Sequence, residues 1–304
     1  MEEKIINFAK TIDIEMIGFA KYYESKELKQ RHLKKFELNY DVPINYNPNN
    51  INRLTKLLPE VKTIISIALP YYNSCEQLEN IKANEVYFSS SSWGKDYHKV
   101  LDEKMDQIIN YIKQKIPEFK YFKCVDTKPI DDRFWAHQAG IGFFGKNGLL
   151  INPKYGSYIF IGNILTNLEL KPSKILNMNC KLCNKCVENC PVHAISENGI
   201  NSRKCLSYLT QKKDLTENEK KQINQCIYGC DICQKVCPHN KINKGYHEFE
   251  PSGIEFINVD KYEKLSNKKF KEKYGNLSGS WRGKKIIERN IKIYKEKIAN
   301  KNSM

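Results

Sequence analysis

The sequence predicts an α+β protein, either of two packed units or of one large unit with an insert, on three observations. Helical and strand-like hydrophobic patterns alternate from Lys4 to Leu165, nine of the eleven cysteines crowd between Cys180 and Cys237, and Lys261 to Met304 carries 14 Lys or Arg against four Asp or Glu. At 304 residues the chain is about twice a common single domain. A hydrophobic content of 40% with a mean hydropathy of -0.61 describes a folded chain with a core, not an integral membrane protein. The apolar stretches near Thr63 to Tyr72 and Tyr155 to Leu168 are too short or too interrupted to span a bilayer. The N-terminus, MEEKIINFAK, opens on two acids and lacks the pattern of a secretory signal, so the expected location is cytoplasmic, with no membrane association.

Lys4 to Ile12 reads as a helix with Ile5, Phe8, Ala9 and Ile12 on one face, followed by a strand at Met16 to Ala20. Lys62 to Leu69, Ile-rich and entered after Pro59, reads as a buried strand. Asp96 to Ile116 places Leu101, Met105, Ile108 and Ile112 along one side of a long amphipathic helix. Lys120 to Asp126 is a further strand, Asp131 to Ala139 a helix closed by Gly140, and Leu149 to Ile151 with Tyr158 to Leu165 a strand pair. Helices alternating with strands indicate a sheet domain with helical cover.

The cysteines fix the chemistry of the region from Cys180 to Cys237. Cys180-x2-Cys183-x2-Cys186-x3-Cys190-Pro191 has bacterial ferredoxin spacing, in which the fourth cysteine serves the other of two [4Fe-4S] clusters. A second run, Cys230-x2-Cys233-x3-Cys237-Pro238, repeats its end. The exchange puts Cys180, Cys183, Cys186 and Cys237 on one cluster and Cys190, Cys230 and Cys233 on the other. That leaves the second cluster one ligand short. A regular run would place it at position 227, which is Ile227, so the spacing leaves Cys205 and Cys226 both open. Two zinc knuckles are the competing reading, disfavoured because four cysteines within eleven residues followed by Pro suit a cluster cage better than a zinc ribbon. His193 is assigned to loop shape, not metal. A ferredoxin module needs about 60 to 80 residues, so the long N-terminal part is expected to use the electrons.

No nucleotide-binding glycine signature opens a helix in that part. Gly140-Ile141-Gly142-Phe143-Phe144-Gly145-Lys146-Asn147 is glycine-rich with a different spacing, and is read as a loop that lets backbone approach a large ligand. The basic C-terminal stretch suits a polyanion such as RNA, or equally a solvated lysine-rich helix.

Several blocks together resemble the epoxyqueuosine reductase family, cobalamin-dependent iron-sulfur enzymes acting on tRNA. They are Trp93-Gly94-Lys95-Asp96-Tyr97-His98, Val125-Asp126-Thr127, the Ala139 to Asn147 loop, Tyr155-Gly156-Ser157-Tyr158, Arg203 to Thr210, Ile227 to Asp231, and Ser278-Gly279-Ser280-Trp281-Arg282-Gly283-Lys284-Lys285. The resemblance runs from about Lys4 to Asn290. It implies a nitroreductase-like α/β cobalamin-binding core over residues 1–170, a double [4Fe-4S] ferredoxin-like domain over 171–245 and a short basic helical C-terminal segment over 246–304. It selects Cys205 as the eighth cluster ligand. Only one helix is expected after Trp281, with Ile287, Ile291, Tyr294 and Ile298 on one face, so most of the family's helical HEAT-like repeats are expected to be missing.

The implied roles are assigned residue by residue. Asp126 matches the family's proton donor, and a carboxyl beside an apolar corrin has its pKa raised by desolvation; the bland alternative is a cap on the following helix. Asp96-Tyr97-His98 lacks the glycine of a histidine-on cobalamin signature, Leu101 standing in its place, so base-off cobalamin is expected and His98 becomes a packing residue at a helix start. Arg53 matches a cobalamin-contacting arginine, and Ser89, Lys146, Asn147, Ser157 and Ser207 are carried over as further cofactor contacts. Arg282, Lys284 and Lys285 are expected at tRNA phosphates. The expected partners are a tRNA bearing epoxyqueuosine in its anticodon loop and an external electron donor such as a flavodoxin or ferredoxin system, with the protein a monomer. The alternatives are another corrinoid iron-sulfur reductase of the dehalogenase kind and an electron-transfer adaptor.

Overall fold

The computed structural model describes residues 1–41, 51, 53–71, 78–240 and 245–302. The chain falls into two units, one of Met1–Pro70 with His98–Cys183, the other of Tyr71–Tyr97 with Asn184–Met304. This division differs from the three segments expected from sequence. Residues 71–97 leave the N-terminal domain because their strand pairs with strands far along the chain, and the C-terminal segment folds with the cysteine-rich region.

In the first unit, α1 (Glu2–Thr11) leads to β1 (Met16–Lys21), α2 (Lys26–Glu37) and β2 (Thr63–Pro70). After β3 (Glu85–Phe88), which belongs to the second unit, come α3 (Tyr97–Lys113), β4 (Tyr121–Cys124), α4 (Asp132–Gln138), β5 (Phe143–Phe144), β6 (Leu150–Ile151) and β7 (Ile159–Thr166). The main sheet has the order β1-β2-β7-β4, antiparallel at every pairing. All residues of β2 but its last are buried, which is why its sequence reads as an unbroken apolar run. Ile64 and Ala68 pack into one core with Phe134, Trp135 and Ala136 of α4. Elsewhere Gly162 of β7 leaves room for Met105 of α3, whose sulfur would lie 3.2 Å from an added Cβ. Phe8 stacks on Tyr111 at 4.2 Å and Lys104 Nζ donates to Ile12 O, joining α1 to α3.

The strands differ from the sequence expectation at two places. Leu150–Ile151 pairs with Phe143–Phe144, not with the following long strand, which lies between β2 and β4. The strand expected to run to Asp126 stops at Cys124, where the chain enters a tight turn. α2 escaped the sequence reading because only Leu28 and His32 of it are buried, too few for a periodic signal.

In the second unit, β3 is central to a three-stranded sheet, parallel to β10 (Cys226–Tyr228) and antiparallel to β11 (Phe256–Asn258). Short helices carry the cysteine region: α5 (Lys185–Glu188), α6 (Leu206–Leu209), α7 (Glu217–Lys220) and α8 (Ile232–Lys235), with the hairpin β8 (Ile195–Ser196) to β9 (Gly199–Ile200). The chain closes with α9 (Asn267–Tyr274) and α10 (Lys284–Asn302). Ile287 and Ile291 are buried against Val86, Phe88 and Tyr274, with Tyr294 and Ile298 packed beside them, so the expected apolar face of the last helix is present. That helix is tied inward: buried Asn290 Nδ2 donates to Thr210 O and Ile227 O at 2.7 and 2.8 Å, and Arg289 to Lys212 O and Lys213 O. Among the described residues no helix is long and apolar enough to cross a membrane.

Candidate functional site

Asp126 lies exposed on the loop between β4 and α4, with φ at 53°. Thr127 N donates to Val125 O across it at 2.5 Å, a three-residue turn that holds the residue in a conformation costly for a side-chain-bearing residue. It does not cap α4. That role belongs to Asp131, whose Oδ1 accepts from Phe134 N while its other oxygen takes Arg31 Nη2 at 2.6 Å and His32 Nε2 at 3.0 Å. Burial pushes Asp131 up, but the His32 hydrogen bond and the Arg133 and Arg31 charges outweigh it and hold the carboxyl well below its usual range.

Sequence reasoning missed Asp132. Its Oδ2 accepts from Asp126 N at 3.1 Å and its Oδ1 from Asn163 Nδ2 at 2.7 Å, and Ser66 Oγ donates to Asn163 Oδ1 at 2.5 Å. Ser66 and Asn163 are partners in the β2/β7 register, and both are fully buried. A polar chain thus runs from the sheet interior to the backbone of Asp126. Burial raises the Asp132 pKa to about 7, the nearby Asp126 and Asp131 adding to it against the hydrogen bonds from Asn163 and Asp126 N. The signal available in sequence was only a polar Ser and Asn in two apolar strands.

Because the folded state holds this proton more tightly than the unfolded chain, the Asp132 contribution to stability falls as pH rises from about 4 to about 7. Asp132→Asn is expected to reduce the loss of thermal stability between about pH 5 and pH 8; an undiminished loss would contradict the assignment.

The same first turn of α4 holds a second loop. Arg133 Nη1 donates to Gly148 O at 2.7 Å, so Asp132 and Arg133 fasten the Asp126 loop and the Lys146–Asn147 turn to one helix end. Lys146 is exposed. Asn147 is buried, its Oδ1 accepting from Leu149 N while Nδ2 finds no hydrogen-bond partner among the described residues. An orphaned buried amide of this kind asks for a ligand acceptor. Two of the three glycines of this loop, Gly140 and Gly142, turn out to serve the chain itself: a Cβ at Gly142 would sit 2.6 Å from Ile151 O, and one at Gly140 would sit 2.5 Å from Lys174 O. Their close approach is to backbone, which corrects the reading of them as ligand-facing. Ser157 is buried just before β7, and Arg53 is exposed at the start of a short 3-10 turn.

Ser89 and Ser207 belong to the second unit. Ser89 is buried, its N donating to Tyr228 O and its Oγ 3.0 Å from Ser91 Oγ; a Cβ on Gly229, φ 78°, would collide with that hydroxyl. Ser207 is half-buried, its carbonyl accepting from Thr210 Oγ1 and Gln211 Nε2. His98 is half-buried, the second residue of α3.

The cysteines separate into two environments. Cys226 lies in β10, buried, its thiol donating to Tyr228 O at 3.2 Å. Cys205 stands at the N-cap of α6, half-buried, packed with Cys186 and Cys233 against the cluster of Cys190, Ala194 and Ile195. Cys190 Sγ already accepts from Ala194 N at 3.3 Å, the kind of N–H···S contact that tunes iron-sulfur centres. Burial, with neighbouring Cys205, Asp231 and Cys190, pushes the Cys230 thiol up to about 12. His193, φ 47°, closes the turn after Cys190 by donating its N to Cys190 O. Among the described residues no three His, Cys, Asp or Glu side chains close on a single metal ion.

Of the three basic residues expected at phosphates, Arg282 and Lys285 are exposed, with the Arg282 guanidinium 3.8 Å from the centre of the exposed Trp281 ring. Lys284 is half-buried, donating to Leu265 O at 2.7 Å and lying 3.9 Å from Glu288. All three line a cleft of about 510 Å³ with Lys271 and Ser280.

Known proteins resemble this chain region by region. Residues 179–240 match a 4Fe-4S double cluster binding domain, so the class is that of a double-cluster iron-sulfur protein. Residues 52–127 match the family model described as epoxyqueuosine reductase QueG, DUF1730. An epoxyqueuosine reductase of Bacillus cereus is 39% identical over 302 residues, 95% of this chain and 78% of that protein. A solved epoxyqueuosine reductase from Bacillus subtilis, with its catalytic aspartate loop swung out of the active site, superposes with a TM-score of 0.89 at 35% identity over 96% of this chain and 80% of that one. Another, solved with an epoxyqueuosine-modified tRNA-Tyr stem loop, gives 0.88 at 36% identity with the same coverages. The chain belongs to the epoxyqueuosine reductase family, and is an oxidoreductase.

Proposed function

We propose that this protein reduces epoxyqueuosine to queuosine at the wobble position of tRNA, with Asp126 as proton donor. The observation that carries the reading is the pairing of a double-cluster cysteine region with an exposed aspartate pinned in a left-handed turn by Asp132. Removing the epoxide oxygen as water consumes two electrons and two protons, so a reductase of this kind needs both an electron supply and a placed acid. Cys180, Cys183, Cys186 and Cys237 would hold one [4Fe-4S] cluster, and Cys190, Cys205, Cys230 and Cys233 the other. Asp132 is a positioning residue: it holds the Asp126 turn through the backbone amide and anchors it to Asn163 and Ser66.

Within a nitroreductase-like core, Arg53, Lys146, Asn147 and Ser157 would hold base-off cobalamin. The unpaired Asn147 amide fits one of its acetamide or propionamide oxygens. Bound there, cobalamin supplies a reducible cobalt centre. Protein residues would bind its edge, present the proton and keep the loop at Asp126 in register.

Single-stranded loop bases are the parts of RNA that proteins read best, which suits a wobble nucleoside as substrate. Arg282 and Lys285 would meet phosphates, while Lys284 braces the cleft. The test is binding of an epoxyqueuosine-bearing stem loop across a salt series. Replacing Arg282 and Lys285 together by Ala is expected to reduce the slope of log affinity against log salt by about 2, roughly one for each phosphate no longer neutralised. An unchanged slope would remove these residues from the tRNA surface.

A further inference from the structure

Three of the eight large hydrophobic side chains that stand exposed among the described residues fall within one short stretch: Ile175 at 42%, Met178 at 44% and Leu182 at 94%. The stretch has no regular secondary structure and ends in the first cysteine run, Leu182 being the residue between Cys180-Lys181 and Cys183. Its own charge is one-sided, with the Glu2 carboxylate accepting from Lys171 N at its start. From Glu169 to Glu188 the chain carries Lys171, Lys174, Lys181 and Lys185 with no acidic residue between, and all four lysines are exposed. Lys181 has φ at 46°, next to Cys180, and its N donates to Asn179 Oδ1.

Nothing in cluster binding requires this surface. A cluster loop needs its cysteines and backbone amides; a fully exposed leucine between two of them costs solvation. Exposed apolar side chains ringed by charge of one sign are the signature of a transient docking face, where apolar contact gives close approach and charge steers the encounter. Electron-transfer encounters use small faces, below about 1,200 Å².

We propose that Lys174, Ile175, Met178, Lys181 and Leu182 form the docking surface for an acidic one-electron carrier protein that loads the cluster beside them. The positive run commits the partner to an acidic face. Each encounter oxidises the carrier by one electron and reduces the cluster by one; two encounters supply the two electrons that epoxide removal consumes. The proposal rests on the cluster-bearing reading above, and its test needs no epoxide.

The experiment follows bleaching of the cluster absorbance in the fully loaded protein by stopped flow, with reduced flavodoxin as the carrier and reduced methyl viologen as a small-molecule control. Lys174→Glu combined with Lys181→Asn, the latter chosen because Asn tolerates a positive φ, is expected to slow reduction by flavodoxin about tenfold or more and flatten its salt dependence. Leu182→Ser is expected to slow it at every salt concentration. Viologen rates and iron content stay at wild-type values. Lys174→Glu alone, six residues before the first ligand, repeats the test if the double variant loses iron. Unchanged flavodoxin rates, or equal slowing with both donors, would overturn the proposal.

Discussion

Cys205→Ser is expected to halve the iron of the reconstituted protein, from about eight to about four atoms per chain, whereas Cys226→Ser leaves it near eight. The two cysteines are equal candidates by spacing and unequal in the fold. Cys226 faces the interior of β10, where its thiol hydrogen is committed to Tyr228 O. Cys205 stands at the start of a short helix and packs with Cys233 against Cys190, where a thiolate would meet the other proposed ligands of its cluster. Loss of one cluster breaks the path of electrons, so turnover by Cys205→Ser should be abolished with a protein donor. Iron and acid-labile sulfide analysis with electron paramagnetic resonance of the reduced protein separates the outcomes. Full iron in Cys205→Ser with half in Cys226→Ser would reverse the assignment.

Asp126→Asn is expected to lower single-turnover epoxide reduction by about 10²- to 10⁴-fold, the range over which a placed acid contributes. The substitution is conservative where it matters structurally, because Asn, like Asp, tolerates the 53° φ better than most side-chain-bearing residues and keeps the backbone amide that Asp132 holds. Iron content, cobalamin retention and stem-loop affinity should therefore match the wild type while the chemical step slows. Asp132→Asn should behave otherwise. It retains Asp126 but weakens the hold on its turn, so a smaller rate loss with a changed pH profile is expected, and Asp132→Glu should not restore the turn unless its carboxyl reaches the same amide. Equal losses from both substitutions, with unaltered pH profiles, would place the proton elsewhere.

How much of this was legible in the sequence depends on whether the signal was local. The cysteine runs, the buried β2 strand and the apolar face of the last helix follow from spacing alone, and each is present. What escaped was set by tertiary pairing. The strand at Glu85–Phe88 pairs with residues about 140 and 170 positions later, so no local pattern announces that residues 71–97 leave the N-terminal domain. The glycines at 140 and 142 read as ligand-facing because sequence does not show that Lys174 and Ile151 carbonyls crowd them. Asp126 and Asp131 were distinguishable only by geometry, one strained and exposed, the other capping a helix. Asp132 was invisible for the same reason: its partners, Ser66 and Asn163, lie on two other strands and meet only in the folded sheet. Lys284 looked like its neighbours Arg282 and Lys285, and only the fold turns its ammonium toward Leu265 O.

Nucleoside mass spectrometry after anaerobic turnover decides whether this chain performs epoxide reduction on tRNA. Protein loaded with both clusters and cobalamin, given a strong reductant and epoxyqueuosine-bearing tRNA, is predicted to yield a wobble nucleoside lighter by one oxygen. An intact epoxide from protein that has retained its clusters, its cobalamin and its grip on the stem loop would contradict epoxide reduction by this chain.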